Sequence, residues 1–90
     1  MFKNLEELVK IIRDRRDNPQ EKSYTNKLLS DKKLSLDKVK EEIGELIEAV
    51  EKDVNKVHEA ADVIYHLLVY LETNNVKIED VLQELEKRKK

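Results

Sequence analysis

Ninety residues make one small domain, 1–90, and a chain this short buries only a modest part of its surface alone, so a partner chain is expected. Charged residues are 42% of the chain and aromatics 4%, with one Gly and one Pro, a composition that suits long amphipathic helices and excludes a turn-rich β fold. The 18 basic and 20 acidic residues leave a net charge of -2, too little to draw nucleic acid or an acidic membrane, and the absence of Cys rules out disulfides, thiolate zinc sites and cysteine nucleophiles.

In chain order, Leu5, Leu8, Val9 and Ile12 recur at helical spacing, with Asn4 and Glu7 placed as a capping box and Asn18-Pro19 as the stop. This predicts a helix over about residues 5–16. The stretch from Asn18 to Thr25 carries no periodic apolar residue and reads as a loop, followed by a short helical piece around Leu28 and Leu29. Ser35 is placed to cap a helix with Val39, Ile43, Leu46, Ile47 and Val50 on one face, ending near Lys52. Asp53 is placed to cap the next. That helix carries Val57, Ala60, Ala61, Ile64, Leu67, Leu68 and Leu71 on one side, with Val63, Val69 and Tyr70 on others. It is apolar almost all round, and the rest of a small chain supplies too little cover, so a homodimer is expected. Its run from Ile64 to Leu71, broken by His66, is too short to span a membrane, which points to a soluble, cytoplasmic protein. After a turn at Thr73-Asn74-Asn75, the residues Ile78, Val81, Leu82 and Leu85 predict a last helix that frays into Lys87-Arg88-Lys89-Lys90. The whole is an all-α bundle of four to five helices, completed by dimerisation.

The acids fall into a pattern on these helices. Glu42 and Glu45 project from neighbouring positions of one helix, with Glu41 one turn before Glu45, and Glu59 and Asp62 do the same on the next. A short connection between the two makes an antiparallel hairpin, which can set the pairs opposite each other. Four carboxylates sharing a partly buried cleft repel strongly and require a cation or a proton. On spacing alone a metal site and a solvated acidic face both remain open. If metal binds, all-oxygen ligation selects Mg²⁺ or Mn²⁺, and such ions are usually completed by water and substrate phosphates, which points to phosphoryl chemistry. Among the many cations ahead of the acidic helices, Arg13 and Arg16 share one face and precede the Ser-Tyr-Thr segment, a placement suited to clamping phosphate. His66, one turn beyond Asp62, reads as a hydrogen-bonded or substrate-contacting histidine rather than a Mg²⁺ ligand.

Glu41-Glu42-Ile43-Gly44-Glu45 followed by Glu59-Ala60-Ala61-Asp62 resembles the paired EExxE and ExxD signature of the all-α, MazG-like nucleoside triphosphate pyrophosphohydrolases. Within that superfamily nearly the whole chain is similar to the phosphoribosyl-ATP pyrophosphohydrolase family. The carriers are Arg16-Asp17-Asn18-Pro19, Ser23-Tyr24-Thr25-Asn26-Lys27-Leu28-Leu29, Lys38-Val39, the segment from Glu59 through Tyr65-His66 to Leu68, and Ile78-Glu79-Asp80-Val81-Leu82. Lys40 and Glu48 depart from the pattern, standing where that branch usually has Gly and an apolar residue. The resemblance implies Mg²⁺-dependent hydrolysis of the α–β phosphoanhydride of phosphoribosyl-ATP, the second step of histidine biosynthesis, by a homodimer. It implies Glu42, Glu45, Glu59 and Asp62 as metal ligands, and Glu41 or Glu45 as the carboxylate serving the attacking water. It further implies that Lys38, Arg13, Arg16 and Lys27 stabilise phosphate charge and that Ser23, Tyr24 and Thr25 contact substrate, with His66 near them. Two alternatives stand beside it: a house-cleaning nucleoside triphosphate pyrophosphohydrolase, and a non-catalytic helical interaction module.

Overall fold

A computed structural model describes residues 2–89, which form five helices and, among the described residues, no strand. Helix α1 spans Lys3–Asp17, α2 Tyr24–Leu29, α3 Lys32–Lys52, α4 Lys56–Thr73 and α5 Ile78–Lys87. The all-α expectation holds, and the differences lie at the helix ends. Helix α1 starts two residues early, on the Phe2 carbonyl, which accepts from the Leu5 and Glu6 amides at 3.2 Å, so Asn4 lies inside the helix and is not its cap. Tyr24 and Thr25 belong to the first turn of α2, because Ser23 Oγ caps it by accepting from the Asn26 amide at 3.2 Å.

Helix α3 begins at Lys32 because Asp31 Oδ1 accepts from the Leu34 amide at 3.0 Å; Ser35, expected as the cap, is a buried residue of the helix interior. Asp53 likewise ends α3 instead of starting α4. It takes a left-handed backbone (φ 56°), as does Asn55 (φ 52°), a conformation that short polar side chains tolerate. The Val54 amide then returns to the Ala49 carbonyl at 3.0 Å, closing the helix end. The chain reverses in three residues, and α3 and α4 pack as an antiparallel hairpin.

The core is centred away from the tip of that hairpin. Val9 and Ile12 of α1, Leu28 of α2, and Leu68 and Val69 of α4 form the buried cluster, with Leu34 of α3 and Ile78 of α5 packed against it. Beneath it, Glu72 is buried and accepts from two guanidiniums, Arg13 Nε at 2.8 Å and Arg16 Nη1 at 2.5 Å. Arg13 uses its other two nitrogens on Glu79, at 2.8 and 2.6 Å, and so ties α1 to both α4 and α5. This leaves a stripe of the hairpin uncovered. Ile43, Ile47, Val50 and Val54 on the α3 side and Val57, Ile64 and Leu67 on α4 are all exposed, Val57 by 85%.

Candidate active site

The hairpin register sets the acidic pairs against each other. Ligand atoms of Glu42, Glu45 and Glu59 all lie within 4.8 Å of one another. Glu42 is only 9% exposed, and its Oε2 and that of Glu59 are buried without a hydrogen-bond partner. Burial pushes the Glu42 carboxyl up from the usual range, and the neighbouring Glu45 pushes it further; burial and then Glu45 do the same to Glu59. Asp62 shares a second grouping with Glu59 and His58, in which His58 Nε2 lies 3.3 Å from Asp62 Oδ2. Orphaned, mutually repelling carboxylate oxygens with no nitrogen or sulfur in the first grouping suit a hard divalent cation.

Glu41 stands beside this cluster, and its Oε2 accepts from Lys38 Nζ at 3.2 Å. The Glu41 carboxylate holds the Lys38 ammonium above its usual range. One turn past Asp62, His66 is buried and both its ring nitrogens are engaged. Its Nδ1 lies 2.8 Å from the Asp62 carbonyl, which can only accept, so Nδ1 carries the proton and Nε2 of the neutral ring is left as an acceptor. Tyr24 Oη, 3.1 Å from Nε2, therefore donates to it. The phenol oxygen's lone pairs are what Tyr24 can offer a ligand. Burial raises the Tyr24 phenol, with the Lys38 ammonium opposing. A second hydroxyl pair, Thr25 Oγ1 and Tyr65 Oη at 2.5 Å, runs beside the first, and the Tyr65 and His66 rings meet edge to face at 5.0 Å. Helix α2 is thereby fastened to α4 by two side-chain links.

The remaining cations lie elsewhere. Lys27 lines an open cleft of about 700 Å³ between the end of α1, the loop that follows and α2, together with Arg16, Lys22, Ser23 and Tyr24. Arg13 has all three nitrogens on Glu72 and Glu79, and Glu72 lies ten residues beyond Asp62 on α4, about 15 Å along the axis.

The family model described as phosphoribosyl-ATP pyrophosphohydrolase matches residues 5–89. Proteins named phosphoribosyl-ATP pyrophosphatase are similar over nearly the whole chain. That of Methanobrevibacter smithii is 39% identical, covering 94% of this chain and 93% of the relative. The Clostridium acetobutylicum protein is 43% identical over 93% of this chain and 79% of its own length, and the Clostridium novyi protein 46% over 96% and 81%. The chain belongs to the phosphoribosyl-ATP pyrophosphohydrolase family.

Within this pyrophosphohydrolase fold, Glu42, Glu45 and Glu59 come together, Asp62 joins them through Glu59, and Lys38 and Glu41 border them. Ser23 serves as a helix cap, Thr25 bonds Tyr65, and His66 holds Tyr24. Three residues escaped the sequence reading. His58 was readable from its four-residue spacing to Asp62. Glu72 carried no local signal, since its partners are 56 and 59 residues away. Asn26 stood among the family carriers, yet nothing in the segment announced its role: its Oδ1 accepts from the Gln20 amide at 2.7 Å and its Nδ2 donates to the Arg15 carbonyl at 2.5 Å.

Proposed function

We propose that this chain is a Mg²⁺-dependent phosphoribosyl-ATP pyrophosphohydrolase, which splits the α–β phosphoanhydride of phosphoribosyl-ATP into phosphoribosyl-AMP and pyrophosphate, in histidine biosynthesis. The observation that carries the reading is the convergence of Glu42, Glu45 and Glu59 with two buried, orphaned oxygens in a chain of this family. Glu42, Glu45, Glu59 and Asp62 would hold the metal, Mg²⁺ or Mn²⁺. The bound cation supplies Lewis-acid stabilisation of the charge that develops on the phosphate oxygens.

The chain's own groups do the rest. Glu41 lies outside the grouping of Glu42, Glu45 and Glu59, so it takes the proton of the attacking water in preference to Glu45. The water oxygen bonds to phosphorus as the bridging P–O bond breaks, and pyrophosphate leaves with the bond pair. Lys38, held at Glu41 by its 3.2 Å contact, supplies positive charge to the phosphates at that edge. Tyr24, its proton committed to His66, accepts from a donor on the substrate. Arg13 is absent from this scheme because its donors are spent within the fold.

Two copies of the chain would pair through the stripe of Ile43, Ile47, Val50, Val57, Ile64 and Leu67. An apolar surface this long on a small hairpin favours burial against its own copy. No helix among the described residues is long and apolar enough to cross a membrane, and the proposed site of action is the cytoplasm. Incubation of purified protein with phosphoribosyl-ATP and Mg²⁺ tests the activity: pyrophosphate and phosphoribosyl-AMP should appear in equal amounts, and their absence sinks the reading. Sedimentation of the Ile47→Glu protein tests the pairing, with a shift from dimer to monomer expected.

A further inference from the structure

We infer that the cleft between α1 and α2 is a second phosphate subsite, which receives a sugar phosphate carried by the substrate at the end remote from the scissile anhydride. This rests on the functional reading above. The proposed substrate has two anionic ends, the triphosphate and the phosphoribosyl group on the base, and a phosphate monoester carries about -1.5 to -2 at neutral pH. The acidic cluster and its cation serve the triphosphate. The second phosphate needs a positive surface of its own.

The cations that supply it must be unpaired and share one cleft. Lys38 is engaged by Glu41, Arg13 by Glu72 and Glu79, and Arg16 by Glu72 and Asp17. Lys22 and Lys27 form no ion pair among the described residues, and both line the same cleft of about 700 Å³. Arg16 lies on its wall too, against a single acid, Glu21. Three other clefts have the opposite balance or none. The one between α1 and α5 offsets Lys10 and Arg13 with Glu6 and Glu79. At the hairpin tip Lys52 faces Glu45, Glu48 and Glu59, and along α5 Arg88 faces Asp80 and Glu84. The first combines positive excess with room for a sugar phosphate.

That cleft is also ordered in advance. Asn26 pins it from both sides, through the Gln20 amide on the loop and the Arg15 carbonyl at the end of α1, while Ser23 caps α2. Tyr24 lines the cleft and is bonded to His66, which is bonded to the Asp62 backbone. The cleft and the acidic hairpin are therefore linked through Tyr24 and His66, as binding the two ends of one substrate requires. The subsite makes the enzyme selective, since an ordinary nucleoside triphosphate has no second phosphate to place there.

The test compares wild type with the Lys22→Gln/Lys27→Gln protein, two exposed changes outside the core. Turnover of phosphoribosyl-ATP is followed by pyrophosphate release, and calorimetry gives the affinities for phosphoribosyl-AMP and for AMP, which lacks the second phosphate. The double variant should raise KM and weaken phosphoribosyl-AMP by about tenfold or more, while AMP affinity moves less than about twofold. Unchanged phosphoribosyl-AMP affinity, or an equal loss for AMP, overturns the subsite while wild-type turnover leaves the activity standing. A wild-type protein that releases no pyrophosphate overturns both.

Discussion

Removing one charge from the acidic cluster should stabilise the metal-free protein and abolish its response to metal. In Glu42→Gln the lost charge sits at a position 9% exposed, beside carboxylates whose oxygens come within 4.8 Å. Two unit charges at that separation repel by roughly 3.5 kcal/mol at an effective dielectric of about 20. The realised gain is smaller, because Glu45 is exposed to screening solvent, so about 1 kcal/mol is expected. The new amide nitrogen also donates where an orphaned carboxylate oxygen stood. For a domain of this size about 1 kcal/mol raises the unfolding midpoint by roughly 4–8 °C. Mg²⁺ at a hundred times its Kd stabilises wild type by about 2.7 kcal/mol, whereas the variant should respond weakly. Thermal unfolding by circular dichroism, at one protein concentration in EDTA and in saturating Mg²⁺, should show the order of midpoints invert. A variant less stable than wild type in EDTA, or equal Mg²⁺ shifts in both proteins, refutes the reasoning.

The raised Glu42 and Glu59 carboxyls make metal-free stability fall with rising pH, because between the ordinary glutamate range and the raised folded values the native state holds protons that the unfolded chain has released. Mg²⁺ affinity should climb across the same window with release of protons, measurable by calorimetry in buffers of different ionisation heat; proton uptake would contradict it. Arg13→Met leaves the buried Glu72 with Arg16 alone and frees Glu79, and should cost about 2 kcal/mol. Its amide hydrogen exchange should accelerate across residues 78–87 while α3 and α4 keep their protection, and unchanged protection of α5 would count against the tie. The His66 ring nitrogens should report protonated Nδ1 and unprotonated Nε2 by ¹⁵N chemical shift near neutral pH, and the reverse pattern would undo the assignment of Tyr24 as donor. Tyr24→Phe should lower kcat/KM by about tenfold and leave Mg²⁺ affinity unchanged.

Much of this molecule is legible locally. The 3.6-residue period places Leu5, Leu8, Val9 and Ile12 on one face of α1, and it places Glu42 with Glu45 and Glu59 with Asp62 before any fold is known. Helix starts are less legible, since Asn4, Ser35 and Asp53 have the same capping chemistry as Asp31 and Ser23, and the choice among them depends on which backbone amide each side chain can reach. Arg13 shows what spacing leaves open: its position on α1 suits a phosphate clamp, while the groups it meets, Glu72 and Glu79, arrive from α4 and α5.

From the sequence alone come the helices, the residues that share a face, and a family signature carried by acids at fixed intervals, because backbone geometry over one or two turns dictates all of these. Tertiary structure alone decided that Glu42 and Glu59 each hide an orphaned oxygen, that Arg13 is consumed by Glu72 and Glu79, that His66 orients Tyr24, and that Lys22 and Lys27 are left to face an open cleft. Each of those outcomes depends on groups from different helices meeting, and which faces meet is set by the packing of the whole bundle.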